Sequence, residues 1–135
     1  MSTSVGGTLT GRGGDIIVID DPIKPDEAAS ETARKTVKDW YANTIVSRLN
    51  DKATGAIVLV MQRVHEDDLA GHLLETGGWQ HLSLPPIAES PEEIPIGEGQ
   101  VHHREIGAAL HPEREPLPQL EHQKAQMGSA VSSAQ

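Results

Sequence analysis

The stretch Asp15-Ile16-Ile17-Val18-Ile19-Asp20-Asp21-Pro22 decides how the rest of this chain is read. Four consecutive β-branched apolar residues, bounded by Asp15 and an Asp-Asp-Pro turn, predict a short strand buried on both faces, as in a parallel sheet. Downstream, residues 26–50 predict a long helix: Asp26 or Ser30 supplies a cap, and Val37, Tyr41, Ile45 and Leu49 recur every fourth residue on one face. Asn50-Asp51 and Thr54-Gly55 end it. Ala56 to Met61 is a second wholly apolar strand, and Glu66–Glu75 a short helix stopped by Gly77-Gly78. Trp79–Leu84 then alternates like a third strand. Helix-bearing connections between buried strands imply βαβ crossovers and an α/β fold with a parallel sheet. Ligands in such sheets bind beyond the carboxyl ends of the strands. That directs attention to Asp20-Asp21-Pro22 and to the segment from Gln62 to Asp68.

Composition sets bounds on this picture. The chain has 135 residues, 36% of them hydrophobic and 2% aromatic, against roughly 45–50% apolar in ordinary domains when Gly is counted. A dense core across the whole length is therefore not expected. The absence of Cys excludes disulfides, thiolate metal sites and Cys nucleophiles. No apolar run approaches the ~20 residues of a membrane span, and the start, MSTSVGGTLTGRGG, has no apolar segment of a secretory signal. A cytoplasmic chain with no membrane partner is the expectation. The net charge of −9 falls entirely in the second half: residues 1–65 hold eight basic and eight acidic groups, and residues 66–135 hold three and twelve. No global basic surface exists to attract a nucleic-acid backbone. Pro85, Pro86, Pro91, Pro95, Pro112, Pro116 and Pro118 mark a change of character. Each removes a backbone donor and restricts its predecessor, so 1–84 reads as folded and 85–116 as an irregular Pro/Glu/His-rich segment. Residues 117–135 read as a short helix, Leu117–Met127, and a Ser/Ala tail.

Ile16-Ile17-Val18-Ile19-Asp20-Asp21 has the form of a Walker B motif, apolar residues followed by two carboxylates. A sheet strand holds the first acid rigidly where it orders Mg²⁺ and its waters, and the second orients or deprotonates the attacking water. The bland alternative is a strand that ends in a solvated turn. Gly6 to Gly13 copies the glycine spacing of a phosphate loop but has Arg12 in place of Lys and Gly13 in place of Ser or Thr. It also opens a strand rather than a helix, whose N-terminus is what holds phosphates; it reads as a Gly-rich turn. Gln62 at the second strand's end is placed to sense a γ-phosphate, and Arg63 either neutralises charge or pairs with a nearby acid. Glu66, Asp67 and Asp68 suit the positive end of a helix dipole. His65 and His72 share a helical face without an HExxH pattern, and His102-His103 lies in the Pro-rich segment, so the His residues read as solvated rather than metal-ligating. No GxSxG signature is present.

Two segments, Leu9 to Pro22 and Arg63-Val-His-Glu-Asp-Asp-Leu-Ala-Gly-His-Leu73, together resemble the large terminase subunit of tailed bacteriophages and prophages, and the run from Gln119 to Gln135 is similar to that family's stretch leading into its nuclease domain. The resemblance implies part of a P-loop (ASCE-type) ATPase sheet with flanking helices, in a DNA-packaging motor that also carries an RNase H-like nuclease. By position, Asp20 matches the Walker B carboxylate that holds Mg²⁺ through water, and Asp21 the place where many members put a catalytic Glu. Gln62 and Arg63 match the coupling motif, where Gln62 and Val64 depart from the family's Thr and Trp. The family's Walker A loop and nuclease acids have no counterpart here. The expectation is therefore a truncated or split motor domain, inactive alone and marginally stable. ATP and Mg²⁺ would be the cofactors of the complete protein. Double-stranded DNA, the portal protein, the small terminase subunit and a complementing upstream fragment would be its partners, in the cytoplasm of a bacterial host. Two alternatives stand beside it: a metal-dependent nuclease using Asp20, Asp21 and Glu66–Asp68, and a non-catalytic prophage remnant or interaction module.

Overall fold

A computed structural model describes residues 2–7 and 11–128, which divide into two compact units, Met1–Trp79 and Gln80–Gln135. In the first unit, strand β1 (Ile16–Asp20) pairs in parallel with strand β2 (Ala56–Val60), Val18 lying beside Val58 and Asp20 beside Val60. The connection between them carries helix α1 (Glu31–Trp40), which continues as a π-helical turn (Tyr41–Ile45) and a 3₁₀ turn (Val46–Arg48). Helix α2 (Leu69–Thr76) follows β2. The unit is thus mixed α/β with a small parallel sheet and flanking helices.

The helix expected over 26–50 is shorter at both ends. Its cap is Ser30, whose hydroxyl accepts the Ala33 N–H at 3.2 Å. Residues 26–29 form turns instead, and Arg34 holds them by donating to the carbonyls of Ala28 and Ala29 at 2.8 and 3.0 Å. The apolar face works as the spacing predicts: Val37 and Ile45 are buried and Tyr41 half-buried. The core gathers Ile23, Ala28, Val37, Leu69 and Leu73, with Leu59, Tyr41 and Trp79 packed against it.

Two expectations for this unit are corrected. The strands are buried on one face only: Ile19 is 4% exposed, whereas Ile16 and Val18 on the other face are 69% and 62% exposed. Every helix here lies on the inner side, so the outer apolar side chains have no layer against them. Trp79–Leu84 forms no strand. Its alternation places Leu82 and Leu84 together, but both remain exposed and find no neighbouring strand.

The second unit corrects the irregular reading of 85–116. Strands β3 (Glu92–Gly97) and β4 (Gln100–Arg104) pair antiparallel. Glu98 and Gly99 turn the chain at φ 51° and 74°, the two positive angles of a tight hairpin turn. Pro95 is tolerated because a two-stranded sheet consists only of edge strands. Residues 86–88 also bond to 108–110, with Ala88 N–H to Ala108 O at 2.9 Å and Leu110 N–H to Pro86 O at 2.8 Å. Buried Arg104 ties these pieces together, donating to Glu92 Oε2 at 2.8 Å and to the Pro85 carbonyl at 2.9 Å. Helix α3 spans Leu117–Met127, as the sequence predicts, and buries Leu120. The Ser/Ala tail from residue 129 onward and Thr8–Thr10 of the Gly-rich turn lie outside the described residues. Within that turn, the Gly7 N–H donates to the Ser4 carbonyl at 2.8 Å.

Candidate functional site at the carboxyl edge of the parallel sheet

The parallel register carries the ends of β1 and β2 to one edge of the sheet. Asp20 closes β1 beside Val60, and the Asp21 N–H adds one more ladder bond, to the Val60 carbonyl at 2.9 Å. Asp21 then turns the chain at φ 40°, a left-handed angle that L-residues other than Asn, Asp and Gly seldom adopt. The turn brings its carboxylate back over β2, where Oδ1 accepts the Gln62 N–H at 3.3 Å. The two segments singled out in the sequence are therefore joined, Asp21 to Gln62. Asp20, Asp21 and Gln62 are all exposed. Both acids open on a cleft of about 740 Å³ that runs along β1, with Lys24 and Glu27 on the same side and Trp40 and Arg48 further along.

Arg63 does something else. Its Nε lies 3.1 Å from both carboxylate oxygens of Asp68, and a terminal nitrogen donates to the Glu66 carbonyl at 3.2 Å. Asp68 caps α2: Oδ1 accepts the Gly71 N–H at 2.8 Å, and Oδ2 accepts the N–H groups of Val64 and His65 at 3.2 and 3.4 Å. Arg63 thus pairs with a nearby acid, the second of its two sequence readings, and does not line the cleft. The wrap is tight at Gly71, where a Cβ would sit 2.0 Å from the Glu66 carbonyl oxygen.

Asp67 faces α1, bonded to Lys38 and 3.6 Å from Arg34 Nε. The Lys38 hydrogen bond, reinforced by Arg34, holds its carboxyl below the usual carboxylate range. Of the three acids at 66–68, one caps a helix and one ties it to α1, so they do not converge with Asp20 and Asp21. Among the described residues no group of three His, Asp or Glu side chains converges to hold a metal ion, and His102 and His103 are exposed on β4.

Sequence reasoning missed the cleft's far side. Trp40 and Arg48 reach it because the π turn after α1 swings the chain back toward Gly14, whose N–H bonds to the Arg48 carbonyl at 2.9 Å. No residue-type signal announces a π turn. Among the described residues no helix is long and apolar enough to cross a membrane. Comparison with protein-family models, with curated proteins and with solved structures finds no match for this chain.

Proposed function

We propose that this chain contributes the Walker B and coupling elements of an ATP-driven DNA-packaging motor, the large terminase subunit of a tailed phage or prophage. The observation that carries the reading is the bond from Gln62 N–H to Asp21 Oδ1, which connects the two carboxylates after β1 to the segment after β2. A motor needs such a connection, since a change at the metal-ordering acids must reach the element that moves DNA.

Asp20 and Asp21 suit Mg²⁺, which keeps most of its waters and takes only one or two protein carboxylates. Both acids are exposed at a cleft mouth where such a hydrated ion fits. Bound Mg²⁺ would neutralise charge on the γ-phosphate. Asp20 would order its waters, Asp21 would orient the attacking water, and Gln62 would register the outcome through Asp21. The partial ASCE-type sheet is the fold this reading implies, with DNA, the portal protein and the small terminase subunit as the motor's partners. The nuclease alternative loses support from Asp67 and Asp68, whose carboxylates are engaged by Lys38 and by Arg63.

The test is complementation. The chain is mixed with, or fused to, a terminase segment that carries a Walker A loop, and ATP hydrolysis is measured with and without DNA. Hydrolysis above that of the segment alone, lost in Asp20→Ala with an unchanged circular dichroism spectrum, supports the proposal. A mixture and a fusion no more active than the Walker A segment would sink it.

A further inference from the structure

We infer that the outer edge of β1 is a docking groove for a short extended strand donated by another polypeptide, acidic toward Arg48 and basic toward Asp20. The argument starts from the direction of backbone groups along β1. Asp15 O accepts from Ala56 N–H at 2.9 Å and Asp21 N–H donates to Val60 O at 2.9 Å, so the odd-numbered residues face β2. Successive residues of a strand point their N–H and C=O groups to opposite edges. The even-numbered residues Gly14, Ile16, Val18 and Asp20 therefore face the other way. Gly14 is taken: it bonds to Arg48 O and to Asn50 N–H at 2.9 and 3.0 Å. Among the described residues nothing pairs with Ile16, Val18 or Asp20 on that side. An unpaired run of this kind is a template for strand addition.

The surroundings define what fits. The open cleft follows this edge for the whole of β1, with Arg48 at the amino end and Asp20 and Asp21 at the carboxyl end. Ile16 and Val18 stand exposed on the outer face, in line with exposed Val58 and Val60. An incoming strand with apolar residues at alternate positions extends that row. A second copy of this chain fits poorly. Antiparallel pairing centred on Val18, the register that uses all three open residues, sets Asp21 against the partner copy's Asp15, and like charges directly opposite repel. This inference uses the edge of β1 and stands apart from the nucleotide reading.

The experiment is nuclear magnetic resonance of the full chain titrated with a short peptide of alternating Val and Thr, Lys at one end and Glu at the other, in both orders. The expected result is slowed amide exchange at Ile16, Val18 and Asp20, with Ile17 and Ile19 unchanged because they already bond to β2. A peptide with Glu at both ends should bind more weakly. Val18→Pro removes one donor at the open edge without touching the β1–β2 ladder, and should weaken binding about threefold to tenfold, the worth of one backbone hydrogen bond. Uniform or absent protection overturns the inference, as does equal binding of the doubly acidic peptide. Protection of the same three amides in a dimer of the chain alone also overturns it, because the occupant would then be a second copy.

Discussion

Asp68 shows how much one carboxylate can organise. Its two oxygens serve the Arg63 guanidinium and three backbone N–H groups, those of Val64, His65 and Gly71. It is 1% exposed, so removing it strands several buried donors at once. Asp68→Ala should cost about 2–3 kcal/mol, a lost cap plus an unpartnered cation, measured as a shift in urea midpoint. Asp68→Asn, which keeps one acceptor oxygen, should cost about half as much. Equal stability of Asp68→Ala and wild type would mean that the loop does not depend on this side chain. The sequence identifies Asp68 as a helix-start acid but does not reveal that it also captures Arg63. A pairing across five residues depends on how the loop wraps, and the wrap depends on Gly71, whose missing Cβ makes room for the Glu66 carbonyl.

At the level of elements, α1 and α2 are joined by charge as well as by apolar packing. Asp67, at the start of α2, meets Lys38 and Arg34 of α1, and its depressed pKa gives this contact a pH signature. A carboxyl whose pKa is lower in the folded state stabilises the fold above its unfolded pKa, near 4. That contribution disappears as the pH falls through the lower folded value. Wild type should therefore exceed Asp67→Asn in urea midpoint at pH 7, and the gap should close below about pH 4. A gap independent of pH would assign the effect to packing. β1, β2, α2 and α3 were legible because each is a short run of one period with clear end signals. The hairpin of β3 and β4 was not, although Gly97-Glu98-Gly99 lies between Ile94, Ile96 and Val101 in a pattern that permits it. Counting prolines outweighed the turn. Yet a proline on an edge strand sacrifices no ladder bond when its missing donor faces outward. Trp79–Leu84 erred in the opposite direction: alternation alone makes no strand without a partner to bond and a layer to bury it.

Over the whole molecule, the buried apolar side chains are few. Among the described residues, seven lie in the first unit, from Ile19 to Leu73, and two in the second, Ala88 and Leu120. The second unit depends instead on buried Arg104 and the hydrogen bonds it donates. Such a balance predicts marginal stability, below the ~5 kcal/mol at the low end of ordinary domains, read from the urea unfolding of the full chain. A single cooperative transition well above that value would contradict it. The candidate site was legible in outline, since Asp20, Asp21 and Gln62 do meet at the carboxyl edge. Arg63 was misplaced by any reading that sent it toward phosphate, because Asp68 is nearer and better oriented. The cleft walls were invisible because they come from a backbone irregularity.

That irregularity, the π turn at Tyr41–Ile45, has a consequence for helical phase. The Val46 N–H reaches back five residues to the Tyr41 carbonyl, so one residue more than an α-helix needs is accommodated in this turn. Its exposed positions include Ala42 and Asn43. Removing one of them would restore a regular helix and rotate everything beyond it by about 100° relative to α1. Arg48 and Asn50 would then leave Gly14, and the segment that now blocks the first rung of the β1 edge would swing away. A single-residue deletion on a solvated surface would thus lengthen the open side of the sheet, while the apolar stripe from Val37 to Tyr41 stayed where it is.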